Sequence, residues 1–223
     1  MQVKPHKFDG IYRINNKIAT INLTPGRSVY GERLIKINNV EYREWVPFRS
    51  KLCAAVMKKI KFFPFKKGSK VLYLGAGSGT TISHISDIIG RDGIIYAVEI
   101  SEHPLRDLVG LAELRQNIVP ILADARLVET YENMIMEKVD VIYEDVADPD
   151  QIKILIRNAE KFLKTDGFLE IAIKSQSISS TKPPKEVYEE CLKELGEHFE
   201  ILDKVELEPY EKFHLFVVLK SKK

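Results

Sequence analysis

Over residues 1–46 the apolar positions fall into short β-favouring runs with no helical period: Ile11-Tyr12, Ile18-Ala19-Thr20-Ile21, Leu34-Ile35-Lys36-Ile37 and Val40-Glu41-Tyr42. Asn15-Asn16 and Asn38-Asn39 separate successive runs, and asparagine tolerates the positive φ of a tight hairpin, while Thr24-Pro25-Gly26 marks a loop. The segment reads as a small antiparallel β domain. From Pro47 the period changes: Phe48 to Ile60 carries apolar residues at helical spacing, and Phe63-Pro64-Phe65 with Lys67-Gly68 closes it. Strands and helices then alternate as far as Glu197, the sequence form of a parallel sheet covered on both faces, with amphipathic helices expected around Gln151–Leu163 and Glu186–Leu195. Phe199–Leu207 and Phe213–Lys220, joined by Glu208-Pro209-Tyr210-Glu211-Lys212, read as an antiparallel closing pair. The expected architecture is α/β and Rossmann-like over residues 47–223, with the small β domain ahead of it.

A chain of 223 residues with 44% hydrophobic and 30% charged content can bury one large core, or one core and a small appendage. No run approaches the roughly 20 apolar residues of a membrane span, and Met1–Gly10 is polar, unlike a secretory leader; an intracellular protein with no membrane partner is expected. Cys53 and Cys191 form neither a C-x-x-C pair nor a metal-ligand spacing, so they read as reduced packing residues, and no metal site is expected. A net charge of +2 does not announce nucleic acid, and the lysines at 58, 59, 61, 66, 67 and 70 read as a solvated face. If RNA is the substrate, a local basic patch or a partner supplies much of the affinity. Tyr42, Trp45 and Phe48, interleaved with Arg43 and Arg49, read as core and interdomain packing ahead of base stacking.

The chemistry begins where the apolar run Val71-Leu72-Tyr73-Leu74 meets Gly75-Ala76-Gly77-Ser78-Gly79 and then Thr80-Thr81. A strand, a glycine turn and a helix start place a nucleotide-like ligand at the strand's carboxyl end. Glu99 ends the next apolar run, where a carboxylate can accept from ribose hydroxyls. Thr80 stands where a dinucleotide fingerprint needs its third glycine, which counts against a nicotinamide cofactor. G-x-G-x-G followed by an acidic strand end is instead how a methyltransferase holds S-adenosylmethionine, and the closing antiparallel strand suits that fold's mostly parallel seven-stranded sheet. Asp124-Ala125, Asp145 and Lys174 follow three further strand-like runs, at the edge where such sheets bind ligands. Any one of these polar residues reads equally well as a strand or helix cap; their joint placement does not.

Longer strings are more specific: Val29-Tyr30-Gly31-Glu32; Trp45-Val46-Pro47-Phe48-Arg49-Ser50-Lys51-Leu52; Leu74 to Thr81 with Ser83-His84-Ile85-Ser86-Asp87; Asp145-Val146-Ala147 with Pro149-Asp150-Gln151; and Leu207-Glu208-Pro209-Tyr210-Glu211. Together they closely resemble the fibrillarin family from residue 28 onward. The glycine- and arginine-rich extension of eukaryotic members is absent, so the chain is similar to the compact archaeal form, which implies a cytoplasmic protein. The resemblance implies the catalytic subunit of a box C/D ribonucleoprotein that methylates ribose 2′-hydroxyls of ribosomal or transfer RNA. It implies three kinds of partner: a Nop-domain scaffold protein, a kink-turn-binding ribosomal-type protein, and the guide RNA with its target rRNA or tRNA. The family's cofactor positions fall on Thr80, Thr81, Glu99, Ile100, Asp124, Ala125, Asp145, Val146, Ala147, Asp148 and Gln151, beside Gly75, Gly77 and Gly79. Its catalytic set falls on Lys51, Asp145, Lys174 and His214. Departures are Val46 for asparagine, Gly77 for alanine, Asp148 for glutamine, and Phe213 and Leu215 where aspartate and alanine are common; Asp148 adds a carboxylate near the cofactor.

On this reading the enzyme aligns a sulfonium methyl with a hydroxyl and removes one proton. A second cation and partial desolvation can turn a lysine into a base, which makes Lys174 the candidate, with Asp145 orienting it and Lys51 and His214 positioning the ribose or its phosphate. His84 and His103 have no such support and read as surface or helix residues. Other readings predict different behaviour: an assembly subunit indifferent to loss of Lys174 or Asp145, a protein glutamine methyltransferase needing no guide, or a dehydrogenase binding nicotinamide.

Overall fold

The change of hydrophobic period at Pro47 is a change of sheet. The computed structural model describes residues 2–222. Strands β1 (Val3–Pro5), β2 (Ile11–Ile14), β3 (Lys17–Ile21), β4 (Leu34–Ile37) and β5 (Val40–Trp45) form an antiparallel sheet in the order β1-β2-β3-β5-β4. Asn15, Asn38 and Asn39 do take positive φ in the two hairpin turns. The expected helix from Phe48 is shorter than its pattern: a 3-10 turn at Pro47–Arg49 precedes α1 (Lys51–Met57), because the Ser50 hydroxyl accepts from the Cys53 N–H and restarts the helix there.

The second sheet is built from β6 (Lys70–Leu74), β7 (Ile94–Glu99), β8 (Ile118–Leu122), β9 (Val139–Glu144), β10 (Leu163–Lys174), β11 (Phe199–Glu206) and β12 (His214–Ser221). Their order is β11-β12-β10-β9-β6-β7-β8, parallel except for β12, which runs antiparallel to both neighbours. The closing pair is therefore the expected hairpin, with its second strand inserted inside the sheet. Helices α2 (Thr80–Ile89), α3 (Glu102–Leu114), α4 (Gln151–Phe162), α5 (Ser175–Ile178) and α6 (Pro184–His198) fill the connections. One apolar core lies against α1, α2 and α3 and takes in Ile11, Ile18 and Trp45 from the small sheet; a second lies against α4 and α6, and a small third one, of Ile14, Ala19, Ile35 and Tyr42, belongs to the small sheet.

Helix α2 is buried from Thr81 to Ile89, on both faces. Ile82, Ile85 and Ile89 face the large sheet's core, while Ser83, His84 and Asp87 meet the small sheet. There Arg43 donates to Glu32 at 2.6 Å and Asp87 at 2.9 Å, and Arg115 donates to Asp87 at 2.6 Å, all fully buried. His84 is a helix residue as expected but is wholly enclosed, stacked on Trp45 and held between Thr20 and Tyr30. The Thr20 hydroxyl donates to Asp87, so it must accept from Nδ1–H of His84, and Nε2 accepts from Tyr30. Burial and the two arginines push His84 well below its ordinary pKa and keep it neutral. His103 lies exposed on α3, and both cysteines are buried. Trp45 and Tyr42 are core residues, whereas Phe48 is 62% exposed.

Glu170 sits in the middle of β10, fully buried, with neither carboxyl oxygen hydrogen-bonded among the described residues. Burial pushes its pKa well above the usual carboxylate value. A raised folded pKa means the native state holds a proton that the unfolded chain releases above its own pKa of about 4.3, so this group costs more stability as pH rises. Glu170→Leu is accordingly expected to stabilise the protein at pH 8 and to lose that advantage toward pH 5, by up to about 1.4 kcal/mol per pH unit in paired denaturant titrations.

Candidate active site

Parallel strands deliver their carboxyl ends to one edge, and residues at or just beyond the ends of four of them, β6, β7, β8 and β9, line a cavity of about 390 Å³. Gly75 leaves β6 at φ +78°, and a Cβ there would lie 2.8 Å from the Asp145 carbonyl oxygen. Asp145 N–H donates to Leu74 O at 2.9 Å, so the glycine loop and the backbone beyond β9 are locked together. Across the loop, Glu99 accepts Gly77 N–H at 2.7 Å on one oxygen and Ser101 N–H at 2.9 Å on the other. Each oxygen keeps a lone pair for a further donor. Gly75, Gly77, Glu99, Ile100, Asp124, Ala125, Asp145, Val146, Ala147 and Asp148 all line this cavity.

The four residues of the catalytic set share one face of the sheet. Asp145 continues the alternation of Val141 and Tyr143, Lys174 that of Ala172, and His214 that of Phe216 and Val218, all on the side covered by α1 and α2. Lys174 and His214 stand directly opposite in the antiparallel pairing. Lys51, the first residue of α1, spans both Asp145 oxygens at 2.8 and 2.9 Å. The sequence reading gave Asp145 to Lys174; the ion pair is with Lys51, because the Ser50 cap starts α1 over the end of β9. Burial raises the Asp145 pKa, with Lys51 opposing. His214 Nδ1 lies 2.7 Å from Lys212 O, which can only accept, so Nδ1 carries the proton and Nε2 keeps its lone pair. Burial lowers the His214 pKa, favouring this neutral form.

Four expected cofactor residues lie outside the cavity lining. Thr81 is buried and donates to Ser50 Oγ at 3.0 Å, tying the start of α2 to the cap that places Lys51. Thr80 opens onto a separate groove beyond the loop, and Gly79 caps α2. Gln151 is fully buried; its amide donates to Asp148 O at 3.0 Å and accepts Lys174 N–H at 3.2 Å, bracing one loop against the end of β10. Asp148, the added carboxylate, faces Arg126 at 3.6 Å, and Arg126 also holds Asp124 at 2.7 Å. Val98, Ala123, Arg126 and Ile154 line the cavity although sequence reasoning passed over them. Arg126 was reachable, since it lies in the loop after β8; Ile154 belongs to an amphipathic helix whose pattern does not say what it covers. Phe213, 43% exposed at φ +62°, precedes His214, and its carbonyl accepts both Ser175 N–H and Oγ–H at 3.2 Å. Among the described residues no acidic, histidine or cysteine cluster is arranged to hold a metal.

A family model described as fibrillarin matches residues 3–223. A fibrillarin-like rRNA/tRNA 2′-O-methyltransferase of Pyrococcus abyssi is 55% identical over 227 residues, covering 99% of this chain and 100% of the relative. Among solved structures, Aeropyrum pernix fibrillarin with natively bound S-adenosyl-L-methionine is 45% identical at a TM-score of 0.91, covering 98% of each chain. The fibrillarin of a fibrillarin/Nop5p complex is 42% identical at a TM-score of 0.88, covering 96% of this chain and 98% of that one.

The contact at Gly75 separates two glycines of one loop, because Gly77 also has positive φ but has nothing within 4 Å of a built Cβ. Gly75→Ala is expected to cost roughly 2–4 kcal/mol in denaturant unfolding, through both conformation and collision. Gly77→Ala should cost only about 1 kcal/mol, from conformation alone.

Proposed function

The chain belongs to the fibrillarin family, and we propose that it transfers a methyl group from S-adenosylmethionine to ribose 2′-hydroxyls of rRNA and tRNA as the catalytic subunit of a guide ribonucleoprotein. The observation that carries this reading is Asp145, which lines the cofactor cavity and holds Lys51 with its carboxylate. Methyl donor and hydroxyl therefore meet at one group. The cavity suits the cofactor: Glu99 has lone pairs for a ribose diol, Ala125 and Ile154 offer apolar cover for a base, and the Asp145–Asp148 segment offers carboxylates to a cation. When bound, S-adenosylmethionine supplies an electrophilic methyl on a sulfonium.

The chain's own residues do the rest. Lys51, pinned by Asp145, presents positive charge to the hydroxyl or its neighbouring phosphate, and the Asp145 carboxylate balances the cations around it. Lys174, as the neutral amine, takes the hydroxyl proton and becomes an ammonium. One observation favours a second acceptor, since Nε2 of His214 has a free lone pair on the same face. A Nop-domain protein is the scaffold, as the fibrillarin/Nop5p complex supports for a 42% identical chain. A kink-turn-binding protein and a box C/D guide RNA complete the proposed particle, in which pairing with the guide selects the target and the chain needs no base-reading device. Following the archaeal form it resembles, the particle works in the cytoplasm.

With labelled cofactor and reconstituted partners, transfer to target RNA is expected only when a complementary guide is present; guide-independent transfer would contradict the proposal. Lys174→Ala should lower kcat by roughly 10²-fold or more with unchanged cofactor affinity. Glu99→Ala should instead weaken cofactor binding about ten-fold or more, in keeping with loss of charge-assisted hydrogen bonds. If His214→Ala shows the kcat loss and Lys174→Ala does not, the proton goes to the imidazole.

A further inference from the structure

On the far side of the glycine loop lies a groove of about 590 Å³, walled by residues 24–30 of the loop joining β3 to β4, the turn before α1, and α3. Arg27, Arg49 and Arg106 enter it from those three elements, and the hydroxyls of Ser28, Ser78 and Thr80 complete a polar floor. The two fully buried arginines that tie the sheets together are paired with carboxylates: Arg43 with Glu32 and Asp87, and Arg115 with Asp87. Those of the groove are not so held. Among the described residues Arg106 has only a 3.9 Å contact with exposed Glu102, and Arg49 lies over the Tyr30 ring at 5.7 Å. Asp107 is the one carboxylate in the lining, so the groove keeps an excess of positive charge in a chain whose net charge is only +2.

The wall that carries Arg27 is built rather than loose. Glu32 accepts the N–H groups of Val29 and Tyr30, Glu41 accepts Gly26 N–H, and the Asn22 side chain donates to Arg27 O. These bonds hold a non-strand segment in place and leave its guanidinium free, which is the preorganisation that a ligand would otherwise have to supply. The groove is continuous with the reaction edge: Arg49 precedes the Ser50 cap of α1 and Lys51, and Thr80 precedes Thr81, which bonds Ser50. Guanidinium groups and hydroxyls set around an open trough match the oxygens of a phosphodiester chain.

We propose that this groove binds the phosphodiester backbone of the guide–target RNA duplex flanking the methylated nucleotide, and that Arg27 and Arg106 fix its register against Lys51. The inference rests on the RNA-methylating function proposed above. It supplies the local electropositive patch that the bulk charge lacks, and it carries no sequence information, in keeping with guide-directed selection.

The test uses the reconstituted particle with guide and target RNA, and compares wild type with Arg27→Ala/Arg106→Ala and Arg27→Lys/Arg106→Lys. Two lost phosphate contacts should reduce the slope of log affinity against log salt by roughly 1.8, and the lysine pair should largely restore it. Cofactor affinity should not change, because the cofactor cavity shares no lining residue with the groove, while methyl transfer by the alanine pair should fall with the lost register; failure of wild type to transfer methyl would instead sink the proposed function and leave the groove to be judged by binding alone. Neutral methylphosphonate linkages placed in turn along the target strand and the guide strand should weaken wild type at one or two adjacent positions and leave the alanine pair unaffected, which also identifies the strand. An unchanged salt slope, or loss of scaffold-protein binding in place of RNA binding, would overturn the proposal.

Discussion

The structure turns on one close approach. Gly75 lies so near the Asp145 carbonyl that a side chain has no room, and the Asp145 N–H completes the contact by donating to Leu74. Two loops that follow different strands thereby behave as one rigid body. Glu99 clamps that body from the other side through Gly77 N–H. A cofactor cradle and a catalytic carboxylate then need no separate alignment, which matters because in-line transfer tolerates little misplacement.

The rest of the fold holds this body in place. Thr81, two residues past the glycine loop, bonds the Ser50 cap that sets Lys51, and α2 is fixed in turn by the buried Arg43–Asp87–Arg115 network and neutral His84. The small sheet thus acts on the site without touching the reaction: it clamps the helix that clamps α1. Fully buried ion pairs are weak evidence for stability as such, but removing one partner would strand a charge, so the network fixes the geometry of the two sheets. Glu144 carries the opposite signature. It is buried with both oxygens unpaired among the described residues, and burial, then the nearby Asp145 and Asp148 carboxylates, raise its pKa and favour the neutral acid. Arg126 faces Asp148 and Asp124 at the same edge.

Much of this was legible in the sequence, for physical reasons that differ by element. The asparagine pairs marked their hairpins because few other residues accept positive φ, and the glycine run with Glu99 marked the cofactor edge because both follow from backbone and hydrogen-bond chemistry. His84 was less legible: helical periodicity shows the face turned to one core, and α2 has a second, polar face buried against another sheet. Gln151 and Thr81 carry family positions, yet their side chains brace backbone and cap, a distinction that only contacts reveal. The partner of Asp145 was equally hidden, since β10 and α1 both bring a lysine to the same face and only the Ser50 cap decides which reaches the carboxylate. Asp148 looked like an uncompensated charge until Arg126 was placed opposite it.

The destination of the methyl group is the decisive observable. In the reconstituted particle, two target RNAs identical except for 2′-hydroxyl or 2′-hydrogen at the guide-paired nucleotide should separate completely. The hydroxyl RNA should take up one labelled methyl group per strand and the deoxy RNA none. Equal labelling of both RNAs, or label recovered in protein, would contradict the site described here.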